Sequence, residues 1–262
     1  MSQPWKSELL LRLKRGSCVA QVLAPWSRRV VREMHAEGAI GMALPQLLKS
    51  LQEEEGSAAL PRQARLLVPD ELAYMSLRPP CADWPTARQE AQSHFVQTLG
   101  RQDLVTQVVP LPGSSGWLAA AIEPADLQAW QQTLAQAGVR LAHVELALLD
   151  DLQAIAGLIG NEAVVALLRD EGMTLVRVSG GTLVELSWER CDTREQRLVE
   201  HRLLAFRGGI HSSTPEPLWL VCRSAAQCEL WQRLARGHQW TLLSREPEAL
   251  PAAAASDAGV PA

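Results

Sequence analysis

VVALLRDEGMTLVRVSGGTLVELSW, residues 164–188, is two short apolar runs broken by a charged turn holding Gly172 and then by Gly180-Gly181. Runs of this length between turn signals read as consecutive antiparallel strands. A hairpin of this kind can present successive backbone N–H groups to a phosphate. Glycine serves such a turn because a Cβ would block the ligand's approach. Whether this hairpin cradles phosphate or merely turns decides whether the chain is an enzyme.

Outward from this stretch, strands and helices alternate in an order that occurs twice. SELLLRLKRG, SCVAQVLAPWS and RRVVREMHAEG read as three strands joined by short turns. ALPQLLKSLQEEEG follows as a helix, with Leu44, Leu47, Leu48 and Leu51 on one stripe and Gly56 as its stop. RQARLLVPDELAYMSL returns to strand character. DWPTARQEAQSHFVQTLG places Ala87, Ala91, Phe95 and Leu99 on one side and ends at Gly100. After the strand pair VTQVVPLPG and SGWLAAAIE, PADLQAWQQTLAQAG starts with Pro124, aligns Leu127, Trp130 and Leu134, and is capped by Gly138. VRLAHVELALL is a strand running into a helix around Asp150 to Gly157, with His143 as a core residue.

NEAVVALLRDEG, MTLVRVSGG and TLVELSWERC then repeat the three-strand theme, with Gly172, Met173 and Thr174 as a turn. TREQRLVEHRLLAF is a helix with capping-box spacing at Thr193 and Gln196, and Val199, Leu203 and Phe206 on one face. Gly208-Gly209 is its C-cap. EPLWLVCRS is a buried strand. SAAQCELWQRLARG is a helix with the same spacing at Ser224 and Gln227, closed by Gly237, and HQWTLLS ends the folded part.

Composition bounds the rest. The 262 residues, 47% hydrophobic and 21% charged, fit a soluble globular protein of one large or two medium domains. A net charge of −4 argues against a general nucleic-acid binder. The sign is uneven, because the residues up to Gly38 are basic and the remainder acidic. The basic block is suited to anionic lipid, to an acidic partner, or simply to solvated strand faces. Cys18, Cys81, Cys191, Cys222 and Cys228 contain no C-x-x-C and read as reduced thiols of a cytosolic protein. Cys222 and Cys228 with His211 or His238 fit no zinc spacing, so no metal is expected. No signal peptide or membrane-spanning run is visible.

Three antiparallel strands, then a helix, a strand, a helix and a strand, used twice, predict an α/β protein of two ribonuclease-H-like halves. That is the actin-like (actin/sugar-kinase) architecture, with mixed sheets flanked by helices. The expected division is 1–149 for a first half with an inserted subdomain, 150–245 for the second half, and 246–262 for a disordered Ala/Pro-rich tail.

An ATPase of this architecture needs glycine turns for phosphate and carboxylates for Mg²⁺. The first hairpin turns at Gly16 and Ser17, but Lys14 and Arg15 stand where an acid is needed. In the second, Asp170 and Glu171 lie inside the turn and would repel phosphate. The late strand enters its helix through Arg223-Ser224-Ala225 with no Gly pair. Catalysis and a bound cofactor are therefore not expected. The alternative is a divergent ATPase or sugar-kinase-like enzyme. Gly16, Ser17, Gly172 and Thr174 would then hold the nucleotide, and Asp150, Asp151 and Asp170 would be relocated metal ligands. Read structurally, Asp150-Asp151 is a helix N-cap with an exposed neighbour.

ARLLVPDELAYMSLRPP, ARQEAQSHFVQTL and VVPLPGSSGWLAAAIEPADLQAWQQTLAQAGVRLAHVELALL together resemble the actin-like cytoplasmic platform proteins of type IV pilus and type II secretion machines. These are the PilM family and the cytoplasmic part of GspL. The resemblance runs from about residue 64 to 190, with a continuation to 243. It implies a scaffold at the cytoplasmic face of a bacterial inner membrane that binds a short peptide of a membrane-anchored platform partner and assembles as a homo-oligomer. The chain departs from PilM in its nucleotide signature, and from GspL in carrying only the short tail where GspL has a transmembrane helix.

Overall fold

The computed structural model describes residues 7–55, 60–111, 116–169, 171–208, 216–222 and 225–244. Its plan is set by strands that are apolar on consecutive positions, which require cover on both faces. Strands β1 (Glu8–Lys14), β2 (Ser17–Leu23) and β3 (Val30–Glu37) form an antiparallel meander. Helix α1 (Ile40–Glu55) crosses back to β4 (Gln63–Val68), which pairs parallel with β1. The last strand of this sheet, β8 (Arg140–Leu146), lies parallel to β4, giving the order β3-β2-β1-β4-β8.

The second sheet repeats this construction. Strands β9 (Ala163–Leu168), β10 (Gly172–Ser179) and β11 (Thr182–Arg190) are antiparallel. Helix α5 (Gln196–Gly208) leads to β12 (Leu218–Cys222), parallel to β9, and α6 (Ala225–His238) leads to β13 (Thr241–Ser244). The order β11-β10-β9-β12-β13 mirrors the first sheet strand for strand.

Between β4 and β8 sits a smaller antiparallel sheet, β5 (Tyr74–Arg78), β6 (Val105–Pro110) and β7 (Trp117–Ile122), in the order β5-β7-β6. Helix α2 (Trp84–Leu99) covers it through Ala87, Ala91 and Phe95. Its ends follow the local chemistry: Asp83 accepts a hydrogen bond from the Thr86 N–H at 2.9 Å, and Gly100 ends the helix at φ 69°. Helix α3 (Pro124–Gln136) starts with proline and ends in a Schellman motif. There the Val139 N–H donates to Leu134 O at 2.9 Å and the Gly138 N–H to Ala135 O at 3.0 Å.

The leucine stripe of α1, with Trp130 and Leu134 of α3, packs on Leu9, Leu11 and Leu13 of the first sheet. Helices α5 and α6 cover one face of the second sheet through Val199, Leu203, Trp231 and Ala235. The opposite face meets helix α4 (Ala147–Ile155) and the small sheet through Leu118, Leu148, Ile155, Val165 and Val176. No helix among the described residues is long and apolar enough to cross a membrane.

Several local expectations are corrected. RQARLLVPDELAYMSL is not one strand. Pro69 and a 3-10 turn, Asp70–Leu72, split it into β4 and β5, which belong to different sheets. Helix α1 begins at Ile40 and carries Pro45 inside it, where the missing N–H costs one helical bond. Gly172, Met173 and Thr174 are not a turn but the first residues of β10. Thr193 and Gln196 make no capping box, because α5 starts at Gln196 and the Thr193 hydroxyl donates instead to Arg169 O at 3.2 Å. Gly237 lies within α6, and the left-handed residue after it is Gln239, at φ 56°. His143 is exposed, because β8 is an edge strand. Gly56, Gly209, His211, Ser224 and the tail 246–262 fall outside the described residues.

The two hairpin glycines differ in what they do. A Cβ on Gly172 would collide with the Glu189 carbonyl of β11, whereas one on Gly16 would meet nothing within 4 Å. Gly172→Ala should therefore cost about 3 kcal/mol by forcing β10 from β11, and Gly16→Ala less than about 0.5 kcal/mol. Urea unfolding of the two variants measures the difference.

Candidate functional site

In a strand–crossover fold, ligand sites lie beyond the carboxyl ends of the parallel strands. Here β1, β4 and β9 bring their carboxyl ends together, so the tips of both hairpins, the start of the 3-10 turn and α4 converge. The first tip is Arg15-Gly16, closed by Lys14 opposite Ser17. The second is closed by the Arg169 N–H donating to Gly172 O at 2.8 Å.

The centre of this convergence is an arginine. Only 3% of the Arg169 side chain is exposed. Its Nε donates to Asp70 Oδ2 at 2.7 Å, with Nη2 2.5 Å from the same oxygen. Its Nη1 pairs with Asp151 Oδ2. Asp70 follows β4 of the first sheet, Arg169 follows β9, the central strand of the second, and Asp151 lies on α4. The Thr174 hydroxyl of β10 donates to the same Asp70 oxygen. The cluster is built from both halves.

Two further pairs flank it toward solvent. Arg12 of β1 donates through Nη1 to Asp150 Oδ2 at 2.9 Å. Arg15, on the first tip, reaches Glu171 Oε2 on the second at 2.5 Å, and Arg190 approaches that oxygen to 3.5 Å. The hairpin tips are thus joined to each other. These partly exposed pairs are worth up to about 1 kcal/mol each, whereas the buried cluster must be satisfied or the fold loses several.

This arrangement does not fit a nucleotide with its hard cation. Among the described residues, the carboxylates at this convergence, Asp70, Asp150, Asp151 and Glu171, each face a guanidinium. Asp70 Oδ1 is buried without a protein donor, but the cation beside its other oxygen opposes a second positive charge. Backbone approach at Gly172 is spent on β11.

The residues named from sequence are only partly brought together. Ser17 begins β2, and Gly16 sits at the first tip. Thr174 is buried against Asp70 rather than offered to a ligand. Asp150 and Asp151 are not an N-cap pair: both lie inside α4, one paired to Arg12 and the other buried with Arg169. Asp170, Arg223 and Ser224 lie outside the described residues.

Asp70 and Arg169, the centre of the cluster, were not singled out from sequence. Their signal is an ionisable residue closing a strongly apolar run, LLVPD and VVALLR, where a buried charge requires a partner. Among the described residues no group of three or more His, Cys, Asp or Glu could hold a metal. The Cys222 thiol is pushed up, first by burial and then by Cys228, which disfavours the thiolate a metal would need.

No family model matches the chain, and no curated protein matches it by sequence. Solved structures do. A protein of actin-like ATPase fold and unknown function from Bacteroides thetaiotaomicron superposes with a TM-score of 0.64 at 13% identity, covering 92% of this chain and 91% of its own. A chain of a PilM–PilN type IV pilus biogenesis complex gives 0.70 at 11%, covering 91% and 88%. The cytoplasmic domain of EpsL, an inner-membrane component of the type II secretion system of Vibrio cholerae, gives 0.53 at 13%, covering 82% and 81%. The chain has the actin-like fold, and its structural neighbours include the pilus and secretion proteins that its sequence resembles. Such identities establish shared architecture.

Replacing Arg169 by Met would strand two buried carboxylates. The expected loss is about 3–5 kcal/mol of unfolding free energy, against less than about 1 kcal/mol for Arg15→Ala. Chemical denaturation of both variants checks this ordering.

Proposed function

We propose that the chain is a non-catalytic scaffold at the cytoplasmic face of a bacterial inner membrane. It would serve a type IV pilus or type II secretion-like assembly and bind a short cytoplasmic peptide of a membrane-anchored partner. The observation that carries the non-catalytic part is the buried Arg169 cluster with the Arg15–Glu171 bridge in front of it. Groups that an ATPase would turn toward phosphate and metal are here turned toward one another. What supports the assembly part is the likeness in fold to a PilM–PilN complex chain and to cytoplasmic EpsL.

A fold that does not spend its cleft on nucleotide keeps its surfaces for protein contacts, in the manner of other duplicated folds that host unrelated functions. On this reading the halves form one relatively stiff body, because ion pairs join them at the cleft. Partner recognition then falls to a groove or sheet edge outside it, and copies of the chain are free to assemble side by side.

Titration with ATP and Mg²⁺ should give no saturable signal in the micromolar range, which corresponds to about −8 kcal/mol of binding. Short N-terminal peptides of bitopic pilus or secretion proteins should be captured by the purified chain. Micromolar nucleotide affinity or turnover would overturn the non-catalytic reading. Failure to capture any such peptide would overturn the scaffold reading.

A further inference from the structure

The β2–β3 connection, Ala24–Arg29, lies at the far end of the first sheet's outer edge and takes no part in the cleft. Pro25 to Arg29 are all exposed, and Trp26 is 68% exposed. The loop is nevertheless built. The Ala24 N–H donates to Arg29 O at 2.8 Å, the Ser27 N–H to Pro25 O at 2.8 Å, and the Arg29 N–H to Ser27 Oγ at 3.3 Å.

Its backbone places two non-glycine residues in the left-handed region, Trp26 at φ 71° and Arg28 at φ 51°. L side chains rarely adopt this conformation, and a connection needing only to turn would use Gly or Asn there. Instead these positions carry an indole and a guanidinium, both largely exposed. Strain of this kind is a pointer to function when the surroundings maintain it.

The immediate neighbours continue the pattern. Where β3 leaves the loop, the pairing steps from Leu23–Val30 to Val22–Arg32, so Val31 is an extra residue in a bulge and is 57% exposed. Arg29 has no carboxylate at ion-pair distance among the described residues. Arg28 has only Glu8, at 3.8 Å, with its own side chain 69% exposed. The patch therefore combines apolar surface from Trp26 and Val31 with two weakly compensated arginines on a projecting turn.

That combination suits a bilayer interface. Tryptophan favours the headgroup level, where its ring is half in hydrocarbon and its N–H half in water. Arginine stems lie along the apolar boundary while the guanidinium engages phosphate. A projecting tip suits a fluid surface, whereas a protein partner would have to supply a fitted pocket for the indole.

We propose that this loop is a direct contact for anionic phospholipid, with Trp26 seated among the headgroups and Arg28 and Arg29 on lipid phosphates. The contact is a weak one for a single chain, and copies arrayed on a surface would multiply it. It does not depend on the pilus or secretion reading, since purified chain and vesicles suffice to detect it.

The test is flotation of the full chain with vesicles of phosphatidylcholine alone and of phosphatidylcholine mixed with phosphatidylglycerol, at low and high salt. The chain should float only with the mixed vesicles and be released by salt. Arg28→Glu with Arg29→Glu should weaken binding by roughly tenfold or more, and Trp26→Ser should weaken it without changing the salt dependence. Circular dichroism checks that the variants fold, and if the double charge reversal does not, Arg28→Gln with Arg29→Gln replaces it. Equal flotation on both vesicle types, no flotation of the wild-type chain, or variants that float like wild type would overturn the proposal. So would a loss in these variants confined to capture of an acidic protein.

Discussion

A guanidinium cannot be left unpaired in a protein interior, and this requirement at Arg169 governs how the two halves meet. The residue directly follows β9, the central strand of the second sheet, where only 3% of its side chain is exposed. Asp70 must come from the first half, at the turn just past β4, and Asp151 from α4, for the charge to be tolerated. Pro69 and the 3-10 turn that end β4 are thus more than a chain break, because they aim Asp70 across the cleft. Helix α4 is held from two directions, by Arg169 through Asp151 and by Arg12 through Asp150. Its apolar face meanwhile packs on Val165 and Leu167 of the second sheet.

The same requirement bears on function. Two sheets of identical strand order meet where β4 and β9 end, at the Asp70–Arg169 pair, and the carboxyl ends of such strands are where ligands bind in open α/β sheets. Charges of both signs are present in this cleft, yet they neutralise one another. Among the described residues, Asp70, Asp150, Asp151 and Glu171 are each drawn onto an arginine. Recruiting them for catalysis would first require breaking a buried network, which is far costlier than breaking a surface pair.

Much of the architecture was legible in the sequence because it depends on periodicity. The Leu44–Leu51 stripe, the Ala87–Phe95 face, the glycine caps at Gly100 and Gly138, and the apolar runs of β9 and β12 each point to one local structure. What was missed depends on long-range partners. The Thr193–Gln196 spacing matched a capping box, but the Thr193 hydroxyl found the Arg169 carbonyl instead. His143 looked buried because nothing local reveals that β8 is an edge strand. Gly172 was read as a turn glycine, yet its lack of a side chain is needed by the Glu189 carbonyl of a neighbouring strand. In the site, the charged hairpin tips at Lys14, Arg15 and Glu171 were visible. The Asp70–Arg169 pairing behind them, between residues 99 positions apart in the chain, was not.

The central claim is that Asp70 and Arg169 interact directly and join the halves. A double-mutant cycle with Asp70→Asn, Arg169→Gln and the combined variant, read by equilibrium urea unfolding, measures that interaction alone. The account predicts a favourable coupling of at least about 2 kcal/mol. Additive effects of the two substitutions would contradict it.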